Sequence, residues 1–136
     1  MTLVIDTSAL IAILRDEPDA PAFASAIAAA DQCHMSIASY VETGSIVDLA
    51  RNPIASRQLD RFLHDANVEL CPVTPEQGKI ARLAYQDFGK GRGHPAQLNY
   101  GDCFAYALAI DMSVPLLFKG SNFAHTDVAI ALPPPN

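Results

Sequence analysis

Short apolar runs closed by polar or turn-forming residues alternate along this chain with longer segments of helical periodicity. The first run, Leu3-Val4-Ile5, ends abruptly in Asp6; two hydroxyl residues follow, and apolar character resumes from Ala9 to Leu14. This reads as a buried central strand, a tight turn and a buried helix. Periodicity cannot separate a short buried strand from a buried helix, so the strand assignment rests on run length and flanking residues. Thr7 or Ser8 is the expected N-cap, because either side-chain oxygen can accept from an orphan backbone N–H of the first turn. Asp6 then stands at the carboxyl end of a parallel-type strand, where open α/β sheets place their ligands.

Further along, Arg15-Asp16-Glu17-Pro18 is a polar break, with Pro18 as opener of an Ala-rich helix through Ala30. Cys33 to Ser36 is a candidate second strand, and a helix is expected from Ile37 to Leu49, broken at Asn52-Pro53. The next helix carries Leu59, Phe62, Leu63 and Ala66 on one face and Arg57, Asp60, Arg61 and Asp65 on the other. Val68 to Val73 is a third strand candidate. Thr74-Pro75-Glu76-Gln77 supplies an N-cap, a proline at N1 and a capping-box partner, opening a helix that buries Ile80, Leu83, Ala84 and Phe88. After the glycine-rich, basic loop from Gly89 to Pro95, an uncharged helix runs from Cys103 to Ile110, opened near Gly101-Asp102. Val114 to Phe118 is a fourth strand, and Asp127 to Leu132 a candidate edge strand. Strands alternating with helices predict a three-layer α/β/α fold around a parallel sheet, one domain over residues 1–132 with a short tail at 133–136.

Composition narrows the functions available. A chain of 136 residues can bury roughly two-thirds of its unfolded surface without staples. The apolar runs fall far short of the ~20 residues that span a bilayer. The apolar start carries Asp6 in its middle, unlike a signal peptide, so a cytoplasmic protein is expected. Nine basic against fifteen acidic residues give a net charge of −6, the wrong sign for holding nucleic acid by charge neutralisation alone. Cys33, Cys71 and Cys103 are far apart and form no Cys-x-x-Cys pair, so buried reduced thiols are expected rather than a zinc site or disulfide. His34, His64, His94 and His125 show no partner spacing and are expected at the surface or in loops.

The informative residues break their local pattern. Asp6 ends a buried strand, Glu42 shares a helical face with Ala38, Ile46 and Leu49, and Asp102 begins the most apolar helix. Each has an ordinary explanation. Asp6 could cap its own turn, Ser39-x-x-Glu42 has capping-box form, and Asp102 suits a helix N-terminus. Together they suggest one pocket, since inward carboxylates are costly unless neutralised, hydrogen-bonded or bound to a cation. Oxygen-only ligands select hard cations, Mg²⁺ or Mn²⁺, suited to phosphodiester hydrolysis.

At these residues the sequence resembles the PIN-domain ribonucleases, and specifically the VapC toxins of bacterial toxin–antitoxin pairs. The likeness is carried by Val4 to Leu10, Ser39-Tyr40-Val41-Glu42-Thr43, Leu98 to Cys103, and Leu116 to Gly120 with Phe123 and Thr126-Asp127 after it. It implies a Mg²⁺- or Mn²⁺-dependent endoribonuclease with Asp6, Glu42 and Asp102 as metal ligands, a homodimer, and a VapB-type antitoxin as partner. The family commonly has a fourth acidic residue after the Lys-Gly pair. Here that place reads Ser121-Asn122, so Asn122 or Asp127 would complete the ring and a second metal would bind more weakly.

In this reading Ser8 orients a ligand or bound water, and Lys90, Arg92 and Lys119 are candidates for steering the RNA strand. A phosphatase with an aspartyl nucleophile would want a carboxylate two positions after Asp6, and Ser8 stands there. A PIN module that binds RNA or a protein without cutting is the alternative raised by Asn122.

Overall fold

The computed structural model describes residues 1–134, so the expected tail at 133–136 lies partly outside the described residues. In chain order the elements are β1 (Thr2–Ile5), α1 (Thr7–Leu14), α2 (Ala20–Ala29), β2 (Gln32–Ser36), α3 (Ile37–Leu49), α4 (Pro53–Asp65), β3 (Val68–Cys71), α5 (Pro75–Phe88), α6 (Asp102–Met112) and β4 (Leu116–Leu117). A 3-10 turn, Phe123–His125, follows. The four strands form one sheet in the order β3-β2-β1-β4, and every pairing is parallel.

Strand alternation explains the three layers. Val4 and Leu116 turn to one side of the sheet, into a core built with Leu98, Tyr106, Leu108 and Phe118. Leu3, Ile5, Met35 and Leu117 turn to the other, into a core with Leu10, Phe23, Ile27, Leu59 and Leu63. Successive side chains of a strand point to opposite faces, so a strand covered on both sides must be apolar throughout. β1 meets that demand, with Leu3, Val4 and Ile5 fully buried. Among the described residues no helix is long and apolar enough to cross a membrane.

Several local expectations are corrected. The N-cap of α1 is Asp6, not Thr7 or Ser8; its carboxylate accepts from the Ser8 backbone N–H, and the helix begins one residue earlier than the apolar run suggests. Asp19 precedes α2 and Pro21 sits in its first turn, while Pro18 lies outside it. Ser36 caps α3, so Ser39 and Glu42 form no capping box; Ser39 is buried on the first full turn instead. The inward face of α3 is Ser39, Thr43 and Val47, and Leu49 is 82 % exposed.

On α5 the Thr74 cap forms as expected, but Gln77 reaches Asp111 on α6 at 3.2 Å rather than back to the cap. Ala81 and Ala84 fill its buried face, and Leu83 is exposed. The small residues let α5 lie close against α6. At the sheet edges β3 stops at Cys71, β4 shortens to two residues, and the final segment contributes a single bridge between Leu116 and Ile130. His34 is not a loop residue: it lies buried on β2.

Candidate active site

The site assembles where β1 and β4 end. The Asp6 backbone N–H donates to the Leu117 carbonyl at 2.9 Å, continuing the ladder one residue past the strand. Asp6 itself is buried, and its two carboxylate oxygens have different fates. Oδ2 accepts from the Ser8 backbone N–H at 2.9 Å and from the Ser8 hydroxyl at 2.6 Å. Oδ1 is buried with no hydrogen-bond partner. Ser8 Oγ in turn accepts from the Lys119 backbone N–H at 2.9 Å, so one hydroxyl ties the end of β4 to the Asp6 carboxylate.

Glu42 is brought in by a buried hydroxyl network that sequence reasoning did not single out. Thr7 Oγ1 donates to the Ser39 carbonyl at 3.1 Å. Thr43 Oγ1 shares its hydrogen between that carbonyl at 2.8 Å and Thr7 Oγ1 at 3.0 Å. This fixes the start of α1 against the first turns of α3, the turns that carry Glu42. The Ser39-to-Thr43 spacing of four, one helical turn, was the available signal.

Asp102 opens α6 and exchanges bonds with Asn99. Asn99 N–H donates to Asp102 Oδ2 at 2.9 Å, and Asp102 N–H donates to Asn99 Oδ1 at 2.8 Å. This is a reciprocal capping arrangement, legible in retrospect from Asn-x-x-Asp. Gly101 supplies the contact to α3: a Cβ placed there would stand 2.1 Å from Glu42 Oε2, so the Glu42 carboxylate rests on the bare glycine Cα beside Asp102.

Electrostatics report the convergence. Burial pushes the Asp6 carboxyl up to about 7, with Asp102 and Glu42 adding to the rise and the Ser8 hydrogen bonds opposing it. Burial likewise raises Asp102, helped by Glu42 and opposed by the Asn99 N–H. Among the described residues no Lys, Arg or His makes an ion pair with any of the three. Three carboxylates thus lie within electrostatic reach of one another without a protein cation, and one of the Asp6 oxygens has no partner. The donors are all hard oxygens, which fits Mg²⁺ or Mn²⁺ and not a softer ion.

The other candidates are held by different contacts. Asn122 is exposed at the start of the 3-10 turn and makes no capping bond. Asp127 accepts from the Tyr106 phenol at 2.5 Å and is not among the groups that raise Asp6. The Lys119 ammonium is held by Glu17 at 2.6 Å and Asp19 at 3.2 Å. Lys90 and Arg92 are exposed on the glycine-rich loop, where Gly91 and Gly93 adopt φ of +89° and +77°, a region other residues rarely enter.

A second cluster joins His34, Glu69 and Cys71 across β2 and β3, with ligand atoms within 4.8 Å of one another. His34 Nδ1 is 3.6 Å from Cys71 Sγ and 3.6 Å from Glu69 Oε2. A metal-bound histidine normally donates through its other ring nitrogen, and His34 Nε2 is buried without a partner, which disfavours an ion there.

Comparison with known proteins gives a consistent result. The family model described as PIN domain matches residues 3–129. Ribonuclease VapC28 of Mycobacterium tuberculosis is 55 % identical over 130 residues, covering 96 % of this chain and 98 % of its own. Ribonuclease VapC of Mycolicibacterium smegmatis is 53 % identical over 127 residues, covering 93 % and 98 %. The crystal structure of Mycobacterium tuberculosis VapC20, described as a sarcin-ricin loop cleaving toxin, superposes with a TM-score of 0.77 at 13 % identity, covering 96 % of this chain and 99 % of that one. A toxin–antitoxin complex from Klebsiella pneumoniae gives 0.70 at 15 % identity, covering 94 % and 95 %.

Two outcomes follow from the geometry. Because the folded-state pKa of Asp6 lies above its unfolded value, the metal-free fold binds a proton that the unfolded chain does not. Its stability should therefore rise by roughly 2–3 kcal/mol between about pH 8 and about pH 5. Urea titrations should show that gain, and Asp6→Asn should remove most of it. Gly101→Ala should displace the Glu42 carboxylate while leaving the fold intact, lowering Mn²⁺ affinity by calorimetry at an unchanged circular dichroism spectrum; unchanged affinity would contradict the placement of Glu42.

Proposed function

This chain belongs to the PIN-domain family, and from that premise we propose that it is a divalent-metal-dependent endoribonuclease, the toxin of a toxin–antitoxin pair. The observation that carries the reading is the electrostatic coupling of Glu42 and Asp102 to a buried Asp6 whose second oxygen has no partner, with no protein cation among the described residues to offset them. The relatives named ribonuclease VapC support RNA as substrate, and the solved toxin–antitoxin complex supports a VapB-type antitoxin as partner. A homodimer is the assembly proposed.

Asp6, Glu42 and Asp102 would hold Mg²⁺ or Mn²⁺, which when bound supplies Lewis-acid polarisation of a phosphate and a water acidic enough to attack it. The chain's own residues prepare that site. Ser8 occupies Asp6 Oδ2 and leaves Oδ1 open, so the carboxylate has one free oxygen and a fixed orientation. Asn99 does the same for Asp102. Such support fixes ligand geometry before the substrate arrives. Asn122 would add an uncharged carbonyl oxygen at the rim. Asp127, engaged by Tyr106, is the second candidate for that place. Lys90 and Arg92 would steer the strand, whereas Lys119, its ammonium taken by Glu17 and Asp19, acts on the site through its backbone N–H to Ser8. Hydrolysis by water would leave a 5′-phosphate and a 3′-hydroxyl.

Incubation of the purified protein with single-stranded RNA and Mn²⁺ tests this. Asp6→Asn, Glu42→Gln and Asp102→Asn should each lower the cleavage rate at least about a hundredfold, the scale for losing preorganised charge at a reaction centre. EDTA should abolish cleavage, and added Mn²⁺ or Mg²⁺ should restore it. Cleavage that persists in EDTA or in Asp6→Asn would refute the proposal, and binding without cleavage by the native chain would favour a non-cutting module.

A further inference from the structure

Between α5 and α6, beside the active site, lies a cleft of about 640 Å³, inside the range of roughly 300–1,000 Å³ usual for ligand pockets. Its lining includes Arg82 and Tyr85 from α5, Arg92 from the glycine-rich loop, and Tyr100, Cys103 and Phe104 around the start of α6. Cys103 follows Asp102 directly and Tyr100 precedes it by two, so the cleft wall is continuous with the backbone that carries an active-site carboxylate. No acidic residue lines it, although the chain as a whole carries a net charge of −6. Among the described residues neither arginine has an acidic partner within ion-pair distance.

Of the aromatic residues, the two tyrosines are open, while Phe104 packs partly against the core. Tyr100 is 76 % exposed, far more than a tyrosine needed for packing. Phe104 meets its ring edge-on, with centroids 5.1 Å apart and planes at 78°, which supports Tyr100 from one side and leaves a face free. Tyr85 is also exposed, on the facing helix.

We propose that this cleft is a nucleotide subsite for single-stranded RNA, taking a base that flanks the scissile phosphate on the ring of Tyr100 and adjoining backbone phosphates on Arg82 and Arg92. Single-stranded RNA is recognised where unstacked bases lie on aromatic rings or guanidinium planes. An arginine fork pairs bidentately with phosphate oxygens, and an unpaired guanidinium needs no prior partner displaced. The arrangement also meets a difficulty of charge. An acidic protein must draw a polyanion to its carboxylates, and a local positive wall beside them gives the strand a place to dock and a register. The inference rests on the nuclease reading for its substrate class. It adds that base preference near the cut is set by Tyr100 and its neighbours.

The test uses the full chain with a fluorescently labelled single-stranded RNA hexamer of mixed sequence. Anisotropy is measured in EDTA so that binding is read without hydrolysis. Tyr100→Ala should weaken binding on the order of tenfold, and Tyr100→Phe should retain native affinity because the ring remains. Arg82→Ala combined with Arg92→Ala should weaken binding and reduce its salt dependence by about one phosphate contact or more. In Mn²⁺, sequencing the ends cut from a randomised RNA should show Tyr100→Ala broadening the preference at one position beside the cut, with KM raised more than kcat is lowered.

Native affinity and native preference in both Tyr100→Ala and the double arginine variant would overturn the subsite while leaving the nuclease standing. Tyr100-dependent binding by a native chain that never cuts would support the subsite and overturn the nuclease. A change of mass in light scattering for Tyr100→Ala, with affinity unchanged, would assign the face to a second copy of the chain and overturn the proposal.

Discussion

The structure turns on one buried carboxylate. Asp6 ends the central strand, caps the first helix with one oxygen and leaves the other buried without a partner, while Glu42 and Asp102 press their charges toward it. In isolation this is unfavourable, since burial opposes ionisation and like charges add to the opposition. A fold retains such an arrangement when a ligand resolves it, and functional sites are where desolvation and paired like charges concentrate. The neighbouring elements can be understood as the frame that holds the three carboxylates together against their repulsion.

That frame is built from uncharged hydrogen bonds. Thr7, Ser39 and Thr43 lock α1 to α3 through hydroxyls and a carbonyl. Ser8 joins the β1 end to the β4 end, and Asn99 holds Asp102. A lysine or arginine used for the same purpose would neutralise the carboxylates and remove the reason for a cation to bind. Gly101 serves by what it lacks: the absent Cβ leaves space for the Glu42 carboxylate beside Asp102. Across the sheet, the Val4–Leu116 and Ile5–Leu117 pairings place the ends of β1 and β4 side by side, which aligns the rim on which the site stands.

What could be read from the chain was whatever broke a local pattern. Asp6 interrupts a buried run, Glu42 and Asp102 are acidic residues in largely apolar helices, and the structure leaves these three within electrostatic reach of one another. The parallel sheet followed from the alternation of strands and helices. The cap of α1 falls on Asp6, one residue before Thr7 and two before Ser8, because Asp6 does two jobs at once and its capping of the turn competes with no neighbouring hydroxyl. Leu49 and Leu83 were placed inside by periodicity, yet Val47 and Ala81 face the core, since the packing distance between helices and not hydrophobicity alone decides which side turns in. The Ser8 bond to Lys119 spans 111 positions, and the cleft of Tyr100 and Arg82 joins two helices; neither leaves a local trace. His34 lay beyond reach for the same reason, as its neighbours Glu69 and Cys71 come from another strand.

The most direct measurement is anomalous X-ray scattering from crystals grown with Mn²⁺. A peak is expected at the end of β1, with oxygens of Asp6 and Asp102 at about 2.0–2.2 Å, the bond length of a small hard cation, and Glu42 bound directly or through water. No peak between these carboxylates, or a peak only at His34, Glu69 and Cys71, would contradict it.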